Sequence, residues 1–223
     1  IAREDPNIGV VPSSNLSRAA GRGAEGDTDE DFVLAMRHGL NKKGHPLMVM
    51  PSESIGELSD QDLGCVIAYL KSLPPIDRKF DKRHFTYLSQ VMAGAGLFGN
   101  LFPYDIIDHD LRKNMTAPPI SDSPEYGEYL VRSHGCKGCH SPNLGGGKSP
   151  DPVSPPVPNI SKSGNSGKWT KAEFVSFFKT GKTPDGRLPN PQFMPWEGLG
   201  ALPEQEIEAV YNYIQSMPPA AES

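Results

Sequence analysis

The sequence predicts an all-α protein, built of short helices and long loops, in which one structural unit is used twice. Three observations lead there. Gly and Pro each occur 23 times in 223 residues, and interruptions at that density leave no room for long helices or a continuous sheet. Apolar residues recur at helical spacing in DEDFVLAMRHG (29–39), SDQDLGCVIAYLKSL (59–73), KAEFVSFFKTG (171–181) and LPEQEIEAVYNYIQSM (202–217). Finally, AYLKSLPP (68–75) returns as NYIQSMPP (212–219), MPSE (50–53) as MPWE (194–197), and Asn15-Leu16-Ser17 as Asn159-Ile160-Ser161, each 144 residues later.

Each copy has the same order of parts. A loop rich in Gly, Pro and Ser leads to a short helix that stops at a glycine, Gly39 or Gly181. A loop with Met-Pro follows, then an amphipathic helix closed by Pro-Pro, which cannot continue it. Ser59 with Asp62 reads as a capping box at the start of the first amphipathic helix. The second copy has an additional opening helix, SPEYGEYLVRSHG (123–135), with Tyr126, Tyr129, Leu130 and His134 on one side. The expected boundaries are 1–75 for the first unit, 76–121 for a partly helical linker, and 122–223 for the second unit. The linker contains FTYLSQVMAGAGLFGNLFPYDII, too apolar for a free tether, and is expected to pack on both units.

A net charge of −5 argues against a nucleic-acid partner, which requires a basic face. No apolar run approaches the roughly 20 residues that span a bilayer. The chain opens on Ile1 rather than Met, so it reads as a processed product or a fragment, and a missing leader or anchor carries no weight. Three cysteines do not make a disulfide framework. Cys65 is the counterpart of Ala209 and reads as a small buried packing residue.

The other two cysteines lie in CKGCH (136–140). C-x-x-C-H is the attachment sequence of c-type haem. One helical turn presents Cys136 and Cys139 to the two vinyl groups of a porphyrin and His140 to its iron, with Lys137 and Gly138 as spacers pointing away. A thioredoxin-like C-x-x-C would follow a strand, whereas a helix precedes this one. A zinc site needs further ligands, and no Cys or His follows His140. Met194, 54 residues after His140, is the candidate sixth ligand, since a thioether raises the potential and favours electron transfer. Met50 holds the equivalent place in the first copy and is also followed by Pro. Met48 and His38 are weaker candidates there. His45, His84 and His109 show no ligand pattern, and Asp108-His109-Asp110 reads as linker surface.

The order helix, CKGCH, VPNIS, W-T-x-x-E-F, PDGRL, MPW and YIQSMPP resembles the class I cytochrome c domain of bacterial diheme cytochromes, over nearly all of 122–219. It covers 10–75 without the attachment motif. The resemblance implies two tandem cytochrome c-like domains. It implies that Cys136 and Cys139 hold haem c, that His140 and Met194 ligate its iron, and that the Pro158 carbonyl accepts from the other nitrogen of His140. Ile160 and Phe193 are candidates for the apolar pocket wall. Trp169 either reaches a haem propionate or simply packs.

If the first copy is spaced like the second, its attachment motif falls just upstream of Ile1. Either the natural chain extends further and carries a second haem with Met50 as ligand, or the first copy is a haemless scaffold. The retained Met50-Pro51 favours the former. The expected function is electron transfer, relaying from a dehydrogenase subunit to an oxidase or soluble cytochrome. The alternative is a diheme redox enzyme acting on a small inorganic substrate such as thiosulfate. Attachment of haem c places such a chain in the periplasm or on the outer face of the cytoplasmic membrane, and leaves room for a membrane anchor outside this chain.

Overall fold

The computed structural model describes residues 2–5, 8–17, 24, 26–48, 50–77, 83–97, 101–149 and 155–220. The chain divides into two compact units, 1–114 and 115–223. The stretch expected to link them, 76–121, is thereby split: its part up to Asn114 belongs to the first unit and the rest to the second.

The first unit opens on β1 (Ala2–Asp5) and β2 (Gly9–Pro12), joined across Pro6-Asn7. Its helices are α1 (Asp29–His38), α2 (Ser52–Ile55) and α3 (Asp60–Ser72). Thr28 and Asp31 form a reciprocal capping box on α1, and Gly39 ends it in the left-handed region at φ 65°. Phe32, Met36, Leu63 and Ile67 form the core, with Met50, Ile55 and Leu58 packed against it. Buried Arg37 donates from Nη1 to the carbonyls of Gly56 and Leu58, both at 2.7 Å, and pairs with Asp60. One guanidinium therefore satisfies the carbonyls that the α2–α3 turn leaves unpaired.

After residue 76 the chain stays on this unit. β3 (His84–Phe85) adds to β2, completing an antiparallel sheet of order β1-β2-β3. The all-α expectation missed this sheet. Its signal is Gly9, at φ 112°, where a Cβ would lie 2.3 Å from the His84 carbonyl oxygen; only glycine lets the strands approach there. α4 (Tyr87–Gly94) follows. Further on, Arg112 pairs with Glu57 at 2.9 Å and donates to the Glu53 carbonyl, tying residues 103–114 to α2.

The second unit has α5 (Pro124–Ser133), α6 (Cys136–His140), α7 (Lys171–Thr180), α8 (Trp196–Gly200) and α9 (Glu204–Ser216). α5 lies along α9, burying Tyr126 and Leu130 on Ala209. His134, expected on that buried side, is exposed at the end of α5, its ring Nδ1 3.0 Å from the Leu130 carbonyl oxygen. The larger core joins Val131, Leu144, Phe174, Phe177, Phe178, Ile207 and Ile214. Phe178 meets Phe174 and Phe177 edge-on, with ring centroids 5.1 Å apart in each pair.

The two units share bonding detail as well as sequence. The Asn15 side-chain oxygen accepts from Ser17 N and Oγ, and Ser17 Oγ accepts from Ile76 N. In the second unit Asn159, Ser161 and Ala220 repeat this. Lys179 donates to the carbonyls of Gly200 and Leu202, as Arg37 does to those of Gly56 and Leu58. Thr170 and Glu173 repeat the capping box, and Gly181 the left-handed cap.

They differ at one helix. Ala209 is fully buried under α5, whereas Cys65, 144 residues earlier, is exposed. The expectation that Cys65 is a buried packing residue fails because no described helix covers that face of α3.

His38 and His109 face each other in the first unit, Nδ1 to Nδ1 at 2.8 Å, and His109 also stacks on Tyr104. Asp108-His109-Asp110 is therefore more than surface. That contact requires one nitrogen to be unprotonated. Burial, aided by His109, Arg112, Arg37 and Lys113, holds the His38 pKa below its ordinary 6.5. A depressed histidine adds stability above its unfolded value and loses it as pH falls through its folded value. The protection of the α1 amides against hydrogen exchange, relative to their intrinsic rates at each pH, is therefore expected to fall between about pH 7 and pH 5, and less so in His38→Gln. Equal acid sensitivity of the variant would count against this role.

Candidate haem site

The site is built on α6, which is a single turn. Gly135, at φ 73°, lets the chain turn from α5 into it. Cys136 and Cys139 are free thiols. Cys136 is half-buried, and its thiol lines an apolar crevice with Leu130, Phe178, Leu199, Ile207 and Val210. Burial pushes its pKa up to about 11. Such a thiol stays protonated, the opposite of the low-pKa cysteine of a thioredoxin-like centre. Lys137 does not point away as a mere spacer: its Nζ donates to Tyr213 Oη at 3.1 Å, fixing α6 to α9. Gly138 is exposed, and a Cβ there would meet nothing within 4 Å.

His140 is buried. Its Nδ1 lies 2.9 Å from the Pro158 carbonyl oxygen and donates to it in the neutral ring. Burial lowers its pKa, with the Pro158 bond opposing. The ring is thereby held neutral with one nitrogen engaged, the state in which imidazole binds a metal through the other. Leu144, fully buried, holds the next loop: its carbonyl accepts from Ile160 N and Ser161 N. Ile160 packs on the core behind that loop.

Met194 is half-buried against the same core. Its N–H donates to the Asn190 carbonyl and its own carbonyl accepts from Trp196 N. In the first unit the Met50 carbonyl accepts from Ser52 N in the same way. Phe193 is exposed beside Met194. Trp169 packs edge-on to Phe177, its carbonyl taken by Tyr211 Oη. Sequence reasoning passed over Trp196, whose indole Nε1 is buried without a hydrogen-bond partner. An orphaned buried donor is costly unless an acceptor outside the chain meets it. Its signal was the W of MPW, which stands where the first copy has Ser52.

Residues 124–218 match the family model described as Cytochrome c. This stretch is similar to cytochrome c domains. It carries covalently bound haem c, and the residues present suit that group: two free thiols, a neutral histidine, an apolar crevice and an unpartnered indole N–H. The chain is 28% identical over 237 residues to the fructose dehydrogenase cytochrome subunit of Gluconobacter japonicus, covering 97% of this chain and 46% of that protein. It is 28% identical over 226 residues to a diheme cytochrome c-type protein of Cereibacter sphaeroides, covering 94% and 71%. The cytochrome c subunit of the quinone alcohol dehydrogenase of Gluconacetobacter polyoxogenes is 24% identical over 247 residues, covering 97% and 50%. The chain thus spans about half the length of two of these relatives. No helix among the described residues is long and apolar enough to cross a membrane.

Proposed function

We propose that this chain is an electron carrier, taking electrons from a dehydrogenase and delivering them to a downstream acceptor such as an oxidase or a soluble cytochrome. The observation that carries this is His140, buried in neutral form with Nδ1 committed to Pro158, directly after the two thiols of CKGCH. Relatives named as cytochrome subunits of fructose and alcohol dehydrogenases support the donor class. Bound haem supplies a reversible one-electron centre. Cys136 and Cys139 would hold it, His140 Nε2 and Met194 Sδ would ligate its iron, Phe193 and Ile160 would help wall it from water, and the unpartnered Trp196 Nε1 would be a donor for one of its carboxylates. With both ligands supplied by the protein, no open position would be left for a substrate, which favours transfer over catalysis.

The first unit reads as a second cytochrome c-like module. The bonding it shares with the cytochrome c domain supports this, as does Met50 in the place of Met194. Where a longer chain supplies C-x-x-C-H to it, Met50 is the proposed second ligand. The attachment chemistry favours the periplasm or the outer face of the cytoplasmic membrane.

Replacing Met194 by Ala tests the ligand set. Redox titration of the haem-loaded chain is expected to give a lower midpoint potential, and the reduced variant to bind carbon monoxide where the parent does not. An unchanged potential and no gas binding would remove Met194 from the iron.

A further inference from the structure

We propose that Tyr213 holds the ammonium of Lys137 at the attachment turn, and that the pair raises the reduction potential of the haem bound there. The inference rests on reading Cys136 and Cys139 as the attachment thiols. Lys137 stands between them on α6 and is half-buried. Its Nζ donates to Tyr213 Oη at 3.1 Å and lies 5.5 Å from the centre of the Tyr213 ring, within the range of a cation–π contact. α6 is five residues long and has no side-chain bond capping its start. His140 ties its end to Pro158, and Lys137 ties its beginning to α9. Tyr213 is a firm anchor, being only 9% exposed in the core of the second unit.

The chemistry of the acceptor decides what the pair does. A carboxylate would cancel the ammonium charge. No carboxylate among the described residues pairs with Lys137, and its acceptor is a neutral hydroxyl. The positive charge therefore stays whole within the turn. It is felt there: burial raises the Cys136 pKa, and the Lys137 charge opposes that rise. Reduction removes one positive charge from a haem, so a fixed cation close by favours the reduced form. A half-buried charge is also screened less by salt than an exposed one. The first unit supplies a contrast. Tyr69 stands 144 residues before Tyr213 and is 65% exposed, so a cation resting on it would be surrounded by water. The tyrosine is a feature of the repeat, whereas its burial beside a lysine belongs to the attachment turn.

The test is redox titration of the haem-loaded full chain carrying Lys137→Met, Lys137→Arg, Tyr213→Phe or Lys162→Met. Lys137→Met keeps a long apolar stem and removes the charge. Held at the parent's midpoint potential, it is expected to show a reduced-to-oxidised ratio about threefold lower or more, and the difference should persist in high salt. Lys137→Arg, which keeps the charge, should stay close to the parent. Tyr213→Phe removes the acceptor and frees the ammonium toward water, so its potential should fall in the same direction. Lys162→Met makes the same change in net charge at an exposed side chain and should shift the potential less. Hydrogen exchange of the α6 amides, read alongside, is expected to quicken in Lys137→Met and Tyr213→Phe. Haem absorbance under denaturing conditions, equal in all variants, separates a failure of this proposal from a failure of the attachment reading, and matching circular dichroism shows each variant folded. An unchanged potential in Lys137→Met or Tyr213→Phe, or an equal shift in Lys162→Met, overturns the proposal.

Discussion

Substituting both Cys136 and Cys139 by alanine is expected to leave a chain whose intact mass equals that of the polypeptide alone, with no haem retained under denaturing conditions. Cys65→Ala is expected to keep the full haem complement. The contrast follows from position: Cys136 lines the apolar crevice of the second unit, whereas Cys65 is exposed in the other unit. The loss should reach beyond colour. The crevice walls, among them Leu199, Leu202 and Val210, are only partly buried by protein, and without the haem that apolar surface stays open to water. The second unit should therefore melt at a lower temperature in the double variant. Retention of haem after denaturation, or an effect of Cys65→Ala equal to that of the double variant, would contradict the attachment site.

Gly127→Val should cause the largest change in stability. A Cβ at Gly127 would lie 2.0 Å from the Ala209 carbonyl oxygen and 2.9 Å from the Tyr213 Cβ. Backbone is on the other side of the clash, so no rotamer change relieves it. α5 must lift from α9, exposing Tyr126 and Leu130 and moving the chain that leads into α6. The cost is about 3 kcal/mol or more, which lowers the melting temperature of a domain this size by roughly 10 °C or more. Gly64→Val is the internal control: it sits on the uncovered face of α3, where a Cβ meets nothing within 4 Å. A thermal melt that treats the two alike would refute the tight α5–α9 contact.

Much of the site could be read from the chain because its chemistry is local. CKGCH puts two thiols and an imidazole on one turn, and nothing distant is needed to recognise it. The helix limits were legible for the same reason. Ser59 with Asp62 is a start, Gly39 and Gly181 are stops, and all three signals act within a few residues. The 144-residue repeat carried further still, since Ser17 and Ser161 each accept from a backbone N–H nearly sixty residues on, in matching places.

What escaped the sequence depends on distant partners. The contact of His38 with His109 spans 71 residues and has no spacing rule. Gly9 looked like one glycine among many until His84 was found against it. Trp196 was passed over because an unpartnered N–H is visible only once its surroundings are known. Cys65 misled because the alignment with Ala209 carried over the residue's position but not the helix that covers it.

One measurement bears most directly on the electron-carrier reading: spectroelectrochemical titration of the haem-loaded chain, repeated under carbon monoxide. The account predicts a single reversible one-electron transition per chain, unchanged by the gas, because the proposed ligands His140 and Met194 would leave no coordination position open. A transition displaced by carbon monoxide, with the spectrum of a ligand-bound iron, would mean an open coordination position and would contradict the carrier function in favour of catalysis.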